Sequence, residues 1–161
     1  MRKDTLCFIR RGNSVLLGMK KVRFGKGYLN GFGGRVKEGE TIRAGAIRET
    51  AEESGLIVAS ADLTKAAVIK CYFADKPEFD RVLHVFIAFG FKGEPKESDE
   101  MTDLRWYPVS KIPLERMWPA DRYWLPQVLV RGNKLRGRMD FGGVKPPFKV
   151  IDVEFQETSF D

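Results

Sequence analysis

The alternation of apolar and polar positions opens the chain on paired strands. TLCFI, a turn at Gly12 and Asn13, and SVLLGM read as a hairpin. Thr64–Phe73 and Arg81–Phe91 read as two further strands joined by ADKPEFD. After the polar loop GEPKESDE, LRWYPV reads as a short one. Near the end, Leu135, Met139 and Phe141 alternate with Arg136, Arg138 and Asp140. Beyond GGVKPP, Ile151, Val153 and Phe155 alternate with Asp152, Glu154 and Gln156, which completes a hairpin. Helical spacing is rarer. It runs from Thr41 to Ser54, with Gly55 as the stop. It returns in MWPADRYWLPQVLV, where Pro119 suits the first position of a second helix anchored by Tyr123, Trp124, Val128 and Leu129. FGKGYLNGFGGRVKEGE reads as loop with short extended pieces. Many strands, few helices and no regular strand-helix-strand repeat predict an α+β fold, with helices packed on a mixed sheet. No linker or internal repeat divides residues 1–161, so the expectation is a single domain.

Composition narrows the class without choosing a function. Hydrophobic residues make up 43% and charged residues 31%, as in a soluble globular protein. No apolar run approaches the roughly 20 residues that span a bilayer. MRKDTLCFIRRGN lacks the apolar stretch of a secretory signal, so the expectation is a cytoplasmic chain with no membrane partner. Cys7 and Cys71 sit in strand contexts and read as buried thiols. The single histidine, His84, lies inside the apolar run VLHVFIAFGF. It cannot build a histidine-rich zinc site, and a catalytic triad would have to draw on a residue within the sheet. The net charge of +6 favours an anionic partner, and both nucleic acid and a polyphosphate fit. An arginine-rich tail, zinc-finger spacing and RNA-recognition aromatics are all missing. KKVRFGKG, with Lys20, Lys21, Arg23 and Lys26, is the densest basic stretch and reads equally as a solvated loop or a phosphate contact.

Against this basic background, one short stretch is crowded with acid. Glu49, Glu52 and Glu53 fall at i, i+3 and i+4 of the first predicted helix, so they share one face. Such like-charge pairs cost roughly 0.2–0.5 kcal/mol each on an isolated helix. Arg43 and Arg48 are the only local cations. A solvated acidic face is one reading. A bound divalent cation, for which carboxylate oxygens suit Mg²⁺ or Mn²⁺, is the other.

The stretch GGRVKEGETIRAGAIRETAEESGL resembles the signature of the Nudix hydrolase family: glycine, five residues, Glu, seven residues, Arg-Glu, an aliphatic residue, any residue, Glu-Glu, any residue, Gly, aliphatic. The matching positions are Gly34, Glu40, Arg48, Glu49, Glu52, Glu53, Gly55 and Leu56. Thr50 departs from it, standing where the family has an aliphatic side chain. Beyond the box, VLLGMKK, NGFGG, ESGL, HVF, ESDEM and MWP resemble the branch of the family that hydrolyses oxidised purine nucleoside triphosphates. The likeness runs from about Thr5 to the last strands.

The resemblance implies an α/β/α sandwich, a mixed β-sheet flanked by the box helix and a helix of the C-terminal half. It implies a Mg²⁺ site, or Mn²⁺, formed by the Gly34 carbonyl, Glu49, Glu52, Glu53 and, from the ESDEM loop, Glu100. Glu49, Glu52 and Glu53 would form the catalytic set, with Glu53 or Glu52 as the indispensable carboxylate and Arg48 orienting a glutamate. Asn30 would hydrogen-bond the purine. Thr5, Lys20, Phe24, Cys71, Phe73, Met101 and Trp118 would complete the substrate site, Trp118 offering a stacking face. Relatives in this branch have two consecutive aspartates after the proline of MWP; here they are Ala120 and Asp121, which leaves one carboxylate to read the purine edge. The implied reaction gives a nucleoside monophosphate and pyrophosphate, and a monomer is expected. The alternatives are another nucleoside diphosphate derivative, such as a capped RNA end, a methylated purine triphosphate or a dinucleoside polyphosphate, and a non-catalytic nucleotide-binding module.

Overall fold

In the computed structural model, which describes residues 1–160, strand β1 (Arg2–Arg11) is buried on both faces. Leu6 and Phe8 enter one apolar cluster, Cys7 and Ile9 the other. A strand with two buried faces needs cover on both sides, and two helical segments provide it. Helix α1 (Ile42–Ser54) covers the Cys7 face, and α2 (Leu125–Leu129) with the turn before it covers the Leu6 face.

The remaining strands are β2 (Ser14–Lys20), β3 (Leu29–Asn30), β4 (Leu63–Phe73), β5 (Arg81–Ala88), β6 (Met101–Pro108), β7 (Leu135–Phe141) and β8 (Val150–Glu157). They form one sheet in the order β3-β2-β1-β5-β4-β7-β8, with β6 along the other edge of β2. The β1–β5 and β4–β7 pairs are parallel and the others antiparallel, so the sheet is mixed as expected. β1 and β2 share only three rungs, Ile9–Arg11 against Ser14–Leu16, and then splay apart. The glycine-rich segment enters the gap. Phe32 exchanges hydrogen bonds with Cys7, and the Thr5 N–H donates to the Gly34 carbonyl at 2.9 Å. That insertion carries the glycine loop to the middle of the molecule, beside α1.

Helix α1 begins and ends on local chemistry. Thr41 Oγ1 accepts from the Ala44 N–H at 3.0 Å, and Gly55 closes the helix at φ 77°, where a Cβ would be strained. Its buried face is small: Gly45, Ala46, Thr50 and Ser54, with Glu53. Thr50 Oγ1 is enclosed against the Cys7 thiol without completing a hydrogen bond. Thr50→Val should therefore raise unfolding stability by about 1 kcal/mol, the cost of a stranded hydroxyl. Urea unfolding would show it as a higher midpoint at unchanged slope. A lower midpoint would mean that the hydroxyl is satisfied after all.

Five expectations need correction. The second helix is not continuous: residues Pro119–Tyr123 form a 3-10 turn, and α2 starts anew after Trp124, whose backbone lies at φ −134°, ψ −35°. Pro126 has no N–H to return to residue 122, so one α-helix cannot run through. Trp124, Val128 and Leu129 are buried anchors, but Tyr123 is 46% exposed. In the last hairpin, Asp140 pairs with Asp152 while Phe141 pairs with Val150. Ile151 is therefore an extra residue, turned out and 59% exposed. β5 ends at Ala88 rather than Phe91, because Phe91 leaves to stack on Trp106 at 5.7 Å. β6 begins earlier than expected, at Met101, which is wholly buried.

Candidate active site

Where β1 and β2 separate, a cavity of about 370 Å³ opens between the glycine loop, α1 and the aromatic turn at Trp118. One end is acidic. Glu53 is 3% exposed; its Oε1 accepts from the Gly33 N–H at 2.9 Å, and Lys20 Nζ lies 3.4 Å from its Oε2. Lys20 also bonds Glu100 at 3.1 Å, and Arg23 holds the other Glu100 oxygen at 3.0 Å. The Glu53 and Glu100 carboxyls are neighbours, both bonded to the Lys20 ammonium. Burial first, and this neighbour second, push the Glu53 carboxyl well above the usual range. Burial raises Glu49 as well, against the opposing pull of Arg48. A Cβ on Gly34 would lie 2.6 Å from the Glu49 carboxyl carbon, so only glycine lets that carboxylate rest on the loop.

Arg48 organises the rim. It bonds Glu40 through Nε at 2.8 Å and Nη2 at 2.9 Å, Glu49 at 2.9 Å and Glu52 at 3.2 Å. The Glu40 carboxyl is held down to about 2, first by the Arg48 hydrogen bond and then by the Lys37 N–H. The helix is thus less short of cations than its own sequence suggests, because one guanidinium serves three carboxylates and Lys20 reaches in from β2. Glu52 differs from its neighbours: its side chain is 55% exposed and borders not the cavity but an adjoining groove, lined also by Ser98, Asp99 and, from its far side, Glu53 and Glu100.

The other end of the cavity is aromatic. Phe24 packs edge-on against Phe73 (5.3 Å between ring centres) and Trp118 (5.2 Å). One face of Trp118 is taken by Phe148, stacked at 3.9 Å, so the indole borders the cavity with one face already occupied. Asp121 lies buried at this end, and burial raises its carboxyl to about 7; the Trp124 indole N–H points toward it without completing a hydrogen bond. Asn30 accepts the Gly31 N–H on its Oδ1, which leaves its NH₂ to donate. Ala120 is wholly enclosed in the core and does not line the cavity.

Of the residues expected from sequence, Thr5, Lys20, Phe24, Asn30, Gly34, Glu49, Glu53, Cys71, Phe73, Glu100, Met101, Trp118 and Asp121 all border this one cavity. Glu52 and Arg48 do not. The Cys71 thiol is buried and pushed up to about 12, so it serves as wall and not as nucleophile. His84 alternates to the opposite sheet face from Leu83, which borders the cavity, and takes no part. Sequence reasoning missed Asp4 and Arg81, which border the cavity, and Phe148, which does not border it but backs the Trp118 ring. The first two are polar residues of strand stretches, and the third follows a proline turn. The chain matches the Nudix domain model over residues 1–128.

The protein belongs to the Nudix family.

Within the family it is 45% identical over 140 residues to the oxidized purine nucleoside triphosphate hydrolase of Mus musculus, covering 87% of this chain and 86% of that one. It is also 45% identical to the protein of the same name from Danio rerio, over 86% of each chain. Among solved structures, a MutT protein from Bacillus halodurans superposes with a TM-score of 0.82 at 24% identity, over 97% of this chain and 98% of that one, which shows the shared fold. No helix among the described residues is long and apolar enough to cross a membrane.

Nudix hydrolases generally use a divalent metal. Among the described residues, no three His, Cys, Asp or Glu side chains are drawn tightly together as a finished metal cage. The donor set nevertheless suits a hard dication. Its ligand atoms are all oxygens, from Glu49, Glu53 and Glu100, with the Gly34 carbonyl nearby on the loop and already accepting from the Thr5 N–H; Lys20 is the one cation set between Glu53 and Glu100.

Proposed function

We propose that this Nudix protein hydrolyses modified purine nucleoside triphosphates to the monophosphate and pyrophosphate in a Mg²⁺-dependent reaction, Mn²⁺ being the other dication that fits. The observation that carries the reading is the continuity of one cavity, with buried glutamates at one end and an aromatic box containing a buried aspartate at the other. A polyphosphate belongs with the first, a purine with the second. The identity to hydrolases of oxidized purine nucleoside triphosphates over most of both chains supports it.

In this reading Glu49, Glu53, Glu100 and the Gly34 carbonyl hold the metal, with Glu52 joining from the groove side. A dication held there would supply positive charge to offset that of the phosphate oxygens. Glu53 is the carboxylate best placed to take a proton from an attacking water, because it is buried, faces the cavity and is oriented by the Gly33 N–H. Arg48 fixes Glu49 without entering the cavity. Lys20, at the acidic end beside Glu53 and Glu100, supplies a cation for the phosphates. Phe24, Phe73, Cys71, Met101, Thr5 and Trp118 enclose the base, while Asn30 and Asp121 read its edge. We take the protein as a cytoplasmic monomer of one domain acting on free nucleotides.

Product analysis tests the reaction. With Mg²⁺ and 8-oxo-dGTP, ³¹P NMR should show monophosphate and pyrophosphate in equal amounts, and excess chelator should abolish both. Release of orthophosphate with a nucleoside diphosphate, or turnover undiminished by chelator, would overturn it.

A further inference from the structure

The aromatic end of the cavity contains a cation that the reading above does not use. Arg81, the first residue of β5, is only 9% exposed and borders the cavity. It is held on three sides. Its Nε donates to the Phe79 carbonyl at 2.9 Å and its Nη1 to Asp4 Oδ2 at 2.9 Å. The guanidinium carbon lies 5.0 Å from the Phe24 ring centre and 5.9 Å from that of Phe73. Nη2 has no hydrogen-bond partner among the described residues, and it is not one of the fully enclosed stranded atoms. A fixed, charged donor is therefore left with one nitrogen to spend, within the box that encloses the base.

Asp4 explains why the group stays there. Arg2 also bonds Asp4, at 2.7 Å through Nε and 3.1 Å through Nη2, so the carboxylate is shared between two arginines and Arg81 is not neutralised by a partner of its own. A buried charge that shares its counter-ion and keeps an unbonded N–H is costly, and a ligand acceptor that completes its bonding recovers part of that cost.

We propose that Arg81 is a specificity-determining residue, donating from Nη2 to a carbonyl oxygen on the purine and so favouring oxo-purines. The inference rests on the purine reading of the cavity. Arg81 stands against Phe24 and Phe73 rather than among Glu49, Glu53 and Glu100, which assigns it to the base and not to the phosphates. With the Asn30 NH₂ it gives the box two donors, the complement of a base bearing acceptor oxygens. An amino group or a bare C–H at the same position offers Nη2 nothing.

The test is binding, which does not need turnover. Dissociation constants of dIMP and dAMP, which differ at the 6-oxo and 6-amino position, and of 8-oxo-dGMP and dGMP, which differ at C8, are measured by calorimetry for the parent and for Arg81→Met. Met keeps the apolar stem and leaves Asp4 paired with Arg2. Arg81→Lys retains charge without the planar fork and controls for charge alone. At least one oxo preference of the parent should fall about tenfold in Arg81→Met, through weaker binding of the oxo partner, while the other partner binds as before. Equal weakening of both partners, or preferences unchanged in Arg81→Met, would overturn the proposal. So would an Arg81→Met protein that loses its folded near-UV spectrum while Arg81→Lys, with fold retained, binds every ligand like the parent. Oxo preference that depends on Arg81 in a protein with no triphosphatase activity would leave this inference standing and remove the hydrolase reading. Full hydrolysis with no role for Arg81 would do the reverse.

Discussion

Glu53→Gln is expected to reduce turnover by about 10²–10⁴-fold, the range associated with a positioned acid or base, and to leave the fold intact. Both halves follow from its surroundings. The carboxyl is 3% exposed, faces the cavity and is aimed by the Gly33 N–H at 2.9 Å. Glutamine preserves the volume and the oxygen that accepts from Gly33, so packing survives while the anionic oxygen is lost. Glu52→Gln is the comparison. Its side chain is more than half exposed and reaches the metal only from the groove side, so its loss should be smaller than that of Glu53→Gln. Steady-state pyrophosphate release for the two variants, with circular dichroism on each, separates them. A larger loss in Glu52→Gln than in Glu53→Gln would move the indispensable carboxylate to the groove side and contradict the assignment.

Asp121→Asn should move both substrate choice and stability. Of the two buried carboxyls that border the cavity toward its aromatic end, Asp4 is committed to Arg2 and Arg81, which leaves Asp121 to accept from the N–H groups of a guanine-type edge. Asparagine replaces one accepting oxygen by a donor, so kcat/KM for guanine-type substrates should fall roughly 10–10²-fold and adenine-type substrates should gain in relative terms. The stability effect has a definite sign. Burial raises the carboxyl from 3.8 to about 7, so the native state holds this proton more tightly than the unfolded chain does. The resulting stability is fully present below pH 4 and is lost as the pH rises through about 7. Asparagine has no such dependence. The variant should therefore melt above the parent at pH 8, by up to roughly 4 kcal/mol in the limit of the full shift, with the gap closing toward pH 4. A gap that stays constant from pH 4 to 8 would mean that Asp121 does not titrate in the folded protein.

Local signals in the sequence located most of this site because they are short-range. Thr41 and Gly55 bracket α1 by capping, and the i, i+3, i+4 spacing puts three glutamates on one face whatever the rest of the fold does. The period stops short of how the helix is rolled against the sheet. That roll buries Glu53, half-buries Glu49 and leaves Glu52 outside. It is set by the small residues Gly45, Ala46 and Thr50 meeting the core around Cys7 and Ile9. Tertiary pairing hid the rest. Asp4 and Arg81 are 77 positions apart and meet only because β1 and β5 run parallel, and Arg81 alone in sequence is simply the start of a strand. Pro126 is visible in the chain, yet the apolar spacing across it outweighed the break it forces. The bulge at Ile151 is invisible to a strict two-residue alternation, since one extra residue exchanges the two faces.

The most direct measurement is kcat/KM for pyrophosphate release with Mg²⁺ across 8-oxo-dGTP, 2-hydroxy-dATP, N6-methyl-dATP, dGTP, dATP and dCTP. A modified purine is expected to exceed its unmodified parent by about 100-fold or more, close to 2.7 kcal/mol of discrimination in the transition state, with dCTP last. A flat profile across the six, or no release from any of them, would contradict the central claim that this cavity joins a polyphosphate site to a reader of altered purines.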